Sequence, residues 1–288
     1  MRSALLQPRT AARLFATLLC LGLALTAQAG KQERMVESSL LISGHITISA
    51  DGKVLSHRLD DAETLPEGIA ALTAHLASKW TFEPAPLGDA KASRSRMRLL
   101  YVARRQDDGK VALELRSANF GADLPKEARV RLARKSTQIQ YPRALQQNNV
   151  SGTVYLKIRV GRDGKVMNID ASHVNLRTIG GENKMALWRN LLSSASVKAV
   201  SSWTFQPPTT GPDVDAPHWT GIMPVSFNAY AELDPQPGKW ESYIPGPRKV
   251  IPWADSQGLT ADQTDALTPN EFHSPGNSRR LTSPLMGG

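Results

Sequence analysis

The residues able to make or break bonds are few and scattered in this chain of 288 residues. Its six histidines are His45, His57, His75, His173, His218 and His273, no two of them within five positions, and its single cysteine is Cys20. Metal centres draw on Cys and His at short recurring spacings, so none is expected here. Ser172 and His173 are neighbours, but a nucleophilic serine needs a base and an acid assembled by the fold, and the glycine-flanked elbow that would expose it is missing. No glycine-rich phosphate loop occurs. Asp51 and Asp163 sit in turn sequences, and Asp60-Asp61 precedes a helical pattern, where a carboxylate complements the helix start. The expectation is a protein that is not an enzyme, with no catalytic residue, no cofactor and no metal. Function must then come from surfaces.

The elements that would present those surfaces are clearest between residues 141 and 230. Val154, Leu156, Ile158 and Val160 alternate with Tyr155, Lys157 and Arg159, the period of a strand with one buried face. Asp163-Gly164 follows, the pair that best tolerates the positive φ angles of a hairpin turn. Met185, Trp188, Leu192, Ala195 and Ala199 then recur as one stripe of an amphipathic helix, with Gly180-Gly181 at its start. Trp203-Thr204-Phe205 reads as a short strand closed by Pro207-Pro208, and residues 222–230 as a longer one.

Five pieces of this stretch carry a resemblance. Tyr141-Pro142, Gly152 before a β run, Asp163-Gly164-Lys165-Val166, Trp203-Thr204-Phe205-Gln206-Pro207 and Met223-Pro224-Val225-Ser226-Phe227 fall in the order and spacing of the TonB C-terminal domain family, over about ninety residues. The resemblance implies a periplasmic domain, a small sheet against a helix, that binds the plug side of outer-membrane transporters by pairing an edge strand with an extended peptide. It also points to the last strand as that edge, with Ile222, Met223, Val225, Phe227 and Tyr230 as partner-binding residues. An energy transducer of this family carries a histidine in its membrane anchor to meet the proton-driven motor. Residues 14–30 here contain no histidine and no acidic residue, so that contact has no counterpart.

The N-terminus reads as an export signal. Arg2, Arg9 and Arg13 precede an apolar run over residues 14–26, and Ala27-Gln28-Ala29 supplies a cleavage site before Gly30. The rival reading is a retained anchor, at the short end of what spans a bilayer. Cleavage would remove the only cysteine and three arginines, taking the net charge from +9 to +6 and leaving no thiol chemistry. That balance suits acidic loops or peptidoglycan, and export argues against nucleic acid as a partner.

Residues 41–116 repeat the later unit in worn form. Asp51-Gly52-Lys53-Val54 copies Asp163-Gly164-Lys165-Val166, and Trp80-Thr81-Phe82 copies Trp203-Thr204-Phe205. Thr64 and Glu67 are placed as a capping box before a helix carrying Ile69, Leu72 and Leu76. Met97 to Arg104, Asp108-Gly109 and Val111 to Leu115 read as a further hairpin. Lys126, Arg129, Arg131, Arg134 and Lys135 make the bridge basic, either a docking surface or a solvated linker. Eight prolines and no sustained periodicity mark residues 232–288 as mostly disordered or extended, apart from Trp240, Tyr243, Ile244, Ile251 and Trp253, which read either as packing back on the second domain, the favoured reading, or as a linear binding motif.

The expected organisation is a signal peptide or short anchor (1–29), a degenerate TonB-like domain (30–117), a basic linker (118–140), a TonB C-terminal-like domain (141–230) and a Pro-rich tail (231–288). The expected fold class is α+β, two TonB C-terminal-like units, each a small antiparallel sheet packed on one main helix. The leading functional expectation is a periplasmic protein-binding module associated with outer-membrane transport, its partner an outer-membrane transporter or another envelope protein. The alternatives are an inner-membrane energy transducer on the periplasmic side and a structural module on peptidoglycan. Homodimerisation by strand exchange is a further expectation.

Overall fold

The computed structural model describes residues 37–85, 90–106, 108–121, 124–229, 238–255 and 261–286. The expected signal peptide and Tyr230 lie outside these residues. The fold is mixed α+β, with antiparallel sheets and few helices. Among the described residues no helix is long and apolar enough to cross a membrane.

The first sheet is built from β1 (Glu37–Ser49), β2 (Val54–Leu59), β3 (Ala92–Arg105) and β4 (Val111–Gly121), with helix α1 (Ile69–Ala77) between β2 and β3. β1 is central, pairing with β3 along its length and with β2 at its C-terminal end, while β4 lies outside β3. Leu40, Ile42, Ile46 and Ile48 point one way from β1 and form a core with Ile69 and Leu76 of α1, Trp80, Phe82, Met97, Leu99, Tyr101 and Phe120. Each such aliphatic side chain contributes about 1.5–3 kcal/mol over leaving it in water. A bulge opposite Leu100 and Tyr101 leaves Arg116 as the extra residue of β4, which brings both Leu115 and Phe120 into this core. The expected capping box is not formed. Gly68, at φ 81°, occupies the cap position of α1, and the Thr64 hydroxyl donates to the Asp61 carbonyl instead.

The second half follows, with β5 (Arg131–Arg134), the short helix α2 (Arg143–Gln147), β6 (Gly152–Gly161), β7 (Val166–Leu176), helix α3 (Glu182–Val200), β8 (Thr204–Gln206) and β9 (His218–Phe227). The second sheet is β7-β6-β9, and β5 and β8 pair as a separate two-stranded sheet. β6 is flanked by β7 and β9, and α3 packs on β7 and β6. Val154, Leu156, Ile158 and Val160 are buried, as the alternation requires. The buried positions of α3 are Met185, Leu192, Ser196, Ala199 and Val200. Trp188 and Ala195 are only half-buried, because the stripe turns toward the helix end, and the Trp188 ring leans over Gly180. Residues 118–140, expected as a linker, are structured at both ends: β4 runs on to Gly121, and β5 pairs with β8.

The two halves share local detail. Gly52 and Gly164 have φ 88° and 76°, and a Cβ on either would run into the carbonyl oxygen of Phe82 or Phe205. Each glycine carbonyl accepts the amide of that phenylalanine at 2.8 Å. Only glycine fits both the angle and the approach. Trp80 and Trp203 are 2 % exposed, and each indole donates to a carbonyl, that of Leu285 and of Thr137 respectively.

The C-terminal segment corrects the expectation of disorder. It contains β10 (Trp240–Tyr243) and the single-turn helices α4 (Pro252–Asp255) and α5 (Ala261–Thr264), and it buries Tyr243, Ile244, Ile251, Ala254, Ala266, Leu267 and Phe272. These residues make no periodic pattern because each contacts a different part of the body, so composition alone could not reveal them. Trp240, by contrast, is exposed.

Candidate functional site

The partner-binding strand expected from the sequence is β9, and the structure puts its edge in contact with the chain's own tail. Ile222 and His273 exchange both main-chain hydrogen bonds at 2.8 Å, and the Asn270 amide donates to the Pro224 carbonyl at 2.7 Å. Ile222, Met223, Val225 and Phe227 are all buried, so what they could offer a partner is the backbone edge rather than exposed side chains. The covering segment is 270–273, beyond the aromatic stretch that the sequence marked for packing.

The tail covers other edges in turn. β10 pairs with β1, Tyr243 opposite Glu37 and Trp240 opposite Leu40. The next residue, Ile244, pairs with Leu176 at the outer edge of β7, so the chain passes from one sheet to the other within a single peptide unit. The Lys249 amide then donates to the Ser172 carbonyl. A second crossing occurs at Ala266 and Leu267. Ala266 packs with Leu100, Val102 and Tyr243 on the back of the first sheet, while Leu267 packs with Tyr155 and Ile222 on the back of the second. Farther on, Arg279 donates to the Phe120 carbonyl and Leu281 bridges Phe82.

These crossings are fixed by a buried polar cluster centred on Asp265. One carboxylate oxygen accepts from His173 Nε2 at 2.9 Å, Arg248 Nη2 at 2.8 Å and the Thr264 hydroxyl at 3.1 Å. The other accepts from Tyr243 at 2.6 Å and Asn175 Nδ2 at 3.0 Å. Burial opposes the charge on Asp265, but His173, Arg248 and Tyr243 together hold its carboxyl well below the usual carboxylate range. Burial pushes His173 down, against the pull of Asp265, so the ring is neutral at neutral pH. Its Nδ1 then accepts the Ser172 hydroxyl at 2.7 Å, and its face stacks on Tyr155 at 4.3 Å. Burial also raises Tyr155 and Tyr243 above the ordinary tyrosine value.

The Ser172-His173 adjacency in the sequence is therefore part of a serine–histidine–aspartate chain, and a bulge creates it. His173 stands opposite Tyr155 and Ala171 opposite Leu156, which leaves Ser172 as the extra residue of β7. The serine is buried and does not line the neighbouring cavity, so its hydroxyl orients the imidazole. Sequence reasoning named Ser172 and His173 but missed Asp265, which sits 92 residues away in the tail. Only the pairing of a buried histidine with an acid could have signalled it.

Beside this cluster, between the backs of the two sheets, lies a cavity of about 400 Å³. Ser39, Leu41, Arg98 and Leu100 line it from the first sheet, and Thr153, Tyr155, Asn175, Arg177 and Ser226 from the second. Lys239, Glu241, Tyr243, Asp265, Leu267 and Pro269 close it from the tail. Arg98 Nε donates to the Ala266 carbonyl at 2.9 Å. Burial, with Arg96 nearby, pushes this guanidinium below its ordinary value. Among the described residues no three His, Cys, Asp or Glu side chains converge on a point where they could hold a metal ion. A second acidic anchor lies at the start of β1, where buried Glu37 pairs with Arg104 and Arg116. Of the basic bridge residues, Arg131 donates to Gln206 and Lys135 lies over the Trp203 ring. Comparison with protein-family models, curated proteins and solved structures finds no match.

Proposed function

We propose that this chain is an exported, TonB-like protein-binding module of the cell envelope, built from two copies of one unit. The support for two copies is local: the paired glycines at Gly52 and Gly164, the buried Trp80 and Trp203, and the same succession of hairpin, helix and long strand in each half, with a bridge of Thr81 to Lys53 where the second half has β8. The partner is an outer-membrane transporter or another envelope protein that presents an extended segment, and the recognition edge is β9.

One observation carries this reading. The edge of β9 is already covered by residues 270–273, a turn at Asn270 (φ 61°) that closes on one antiparallel bridge, the paired hydrogen bonds of Ile222 with His273. Strand addition takes its affinity from such main-chain bonds, and a partner strand would make the same ones. The tail is then a resident competitor, and binding proceeds by its displacement. A photoreactive residue in place of the half-buried His218, which stays on β9 when the tail leaves, tests this in intact envelopes. Adducts with a separate envelope protein, increased when His273→Pro removes the amide that pairs with Ile222, are expected. Adducts within the chain alone, in both backgrounds, would refute the reading.

A further inference from the structure

The cavity between the sheets has a composition that strand addition does not use. Its cations are Arg98, Arg177 and Lys239, and its acids are Glu241 and Asp265. Asp265 is fully engaged by Arg248, His173, Tyr243, Asn175 and Thr264, so its charge is answered on its own side of the wall. Arg98 differs. It is partly buried, it donates to the neutral Ala266 carbonyl, and among the described residues no carboxylate lies within ion-pair distance of it. Glu271 influences it only from farther away. A cation removed from water without a counter-charge is costly, and an anion arriving from solvent relieves that cost.

The rest of the wall says which kind of anion. Leu41, Leu100 and Leu267 make one side apolar, and the hydroxyls of Thr153 and Ser226 lie on the other. An inorganic anion would leave the leucines uncovered, and a neutral hydrocarbon would leave the guanidinium unanswered. The volume, about 400 Å³, falls in the range of small-molecule sites. We propose that this cavity binds an amphipathic organic carboxylate, its head at Arg98 and its apolar body against Leu41, Leu100 and Leu267. The cavity shares Leu267, Pro269 and Asn270 with the tail that covers the β9 edge, but its test reads ligand affinity rather than partner binding, so the two proposals fail separately.

The test is isothermal titration of the full chain with sodium octanoate, with 1-octanol and with sodium sulfate. Octanoate is expected to bind at least tenfold more tightly than either of the others. Arg98→Gln is expected to weaken octanoate at least tenfold while leaving octanol unchanged. Arg96→Gln, which removes the same charge from the same strand outside the cavity, leaves all three unchanged. The proposal is overturned if octanoate does not bind the wild-type chain, if octanol or sulfate binds as well as octanoate, or if Arg98→Gln retains octanoate affinity. The three-ligand comparison needs no variant, so it decides the matter even where Arg98→Gln fails to fold.

Discussion

Replacing Asp265 with alanine removes the acceptor on which five donors converge. Arg248 is partly exposed, with a side chain 37 % accessible, and can turn to water. His173, Asn175 and Tyr243 cannot, because all three are buried. Each orphaned buried donor costs about 1–3 kcal/mol, and relaxation of the site recovers part of the sum. Removing one partner of a buried charged cluster typically costs about 3–5 kcal/mol, which is the loss expected for Asp265→Ala. Urea unfolding followed by tryptophan fluorescence at pH 7.5 measures it. Because Asp265 lies next to Ala266 and Leu267, the same variant should expose residues 238–286 to limited proteolysis before the sheets unfold. A loss below about 1 kcal/mol, the size of a single ordinary hydrogen bond, would refute the reasoning that this cluster holds the tail.

Acid should loosen the same contact. The folded values of His173 and His273 are depressed, so their stabilisation is complete above the ordinary histidine value of 6.5 and is lost as pH falls below it, whereas that of the depressed Asp265 is lost only below the ordinary carboxylate value of 3.8. The midpoint temperature is expected to drop between pH 7.5 and pH 5, and His173→Gln should flatten that drop. Gly164→Ala combines a positive φ with a collision at the Phe205 carbonyl, so thermal unfolding should show a loss of about 1–3 kcal/mol or more, and Gly52→Ala a similar one. Leu281→Ala removes a partly buried side chain from the first core. The expected loss is about 1–2 kcal/mol, roughly half that of a fully buried leucine, with faster hydrogen exchange at Glu83, whose amide donates to the Arg280 carbonyl, as the local signature.

What the sequence made legible was local. Asp51-Gly52 and Asp163-Gly164 announce their hairpins because the turn itself dictates those residues. Val154 to Val160 announces its buried face by alternation, and Trp80 and Trp203 by their place after a helical pattern. What stayed hidden was long-range. Residues 265–273 touch β3, β6, β7 and β9 within nine positions, so consecutive side chains answer to different surfaces and no period can emerge. Asp265 looks like a solvated acid between Thr264 and Ala266 until the fold brings His173 and Tyr243 to it. Ser172 escaped for a related reason. Nothing in residues 166–176 marks the bulge, which follows from pairing with β6. Arg98 reads as one of several cations of β3, and only the second sheet behind it makes it a lining residue.

The central claim is that the β9 edge accepts an extended strand and that residues 270–273 are its resident occupant. The most direct measurement is fluorescence anisotropy of a labelled peptide spanning residues 267–276, titrated with the full chain and with the His273→Pro variant. Circular dichroism should first show that the variant keeps the sheet content of the parent. The account predicts saturable binding to the variant and little to the wild-type chain, whose own tail holds the edge. Equal binding to both, or no binding to a folded variant, would contradict it.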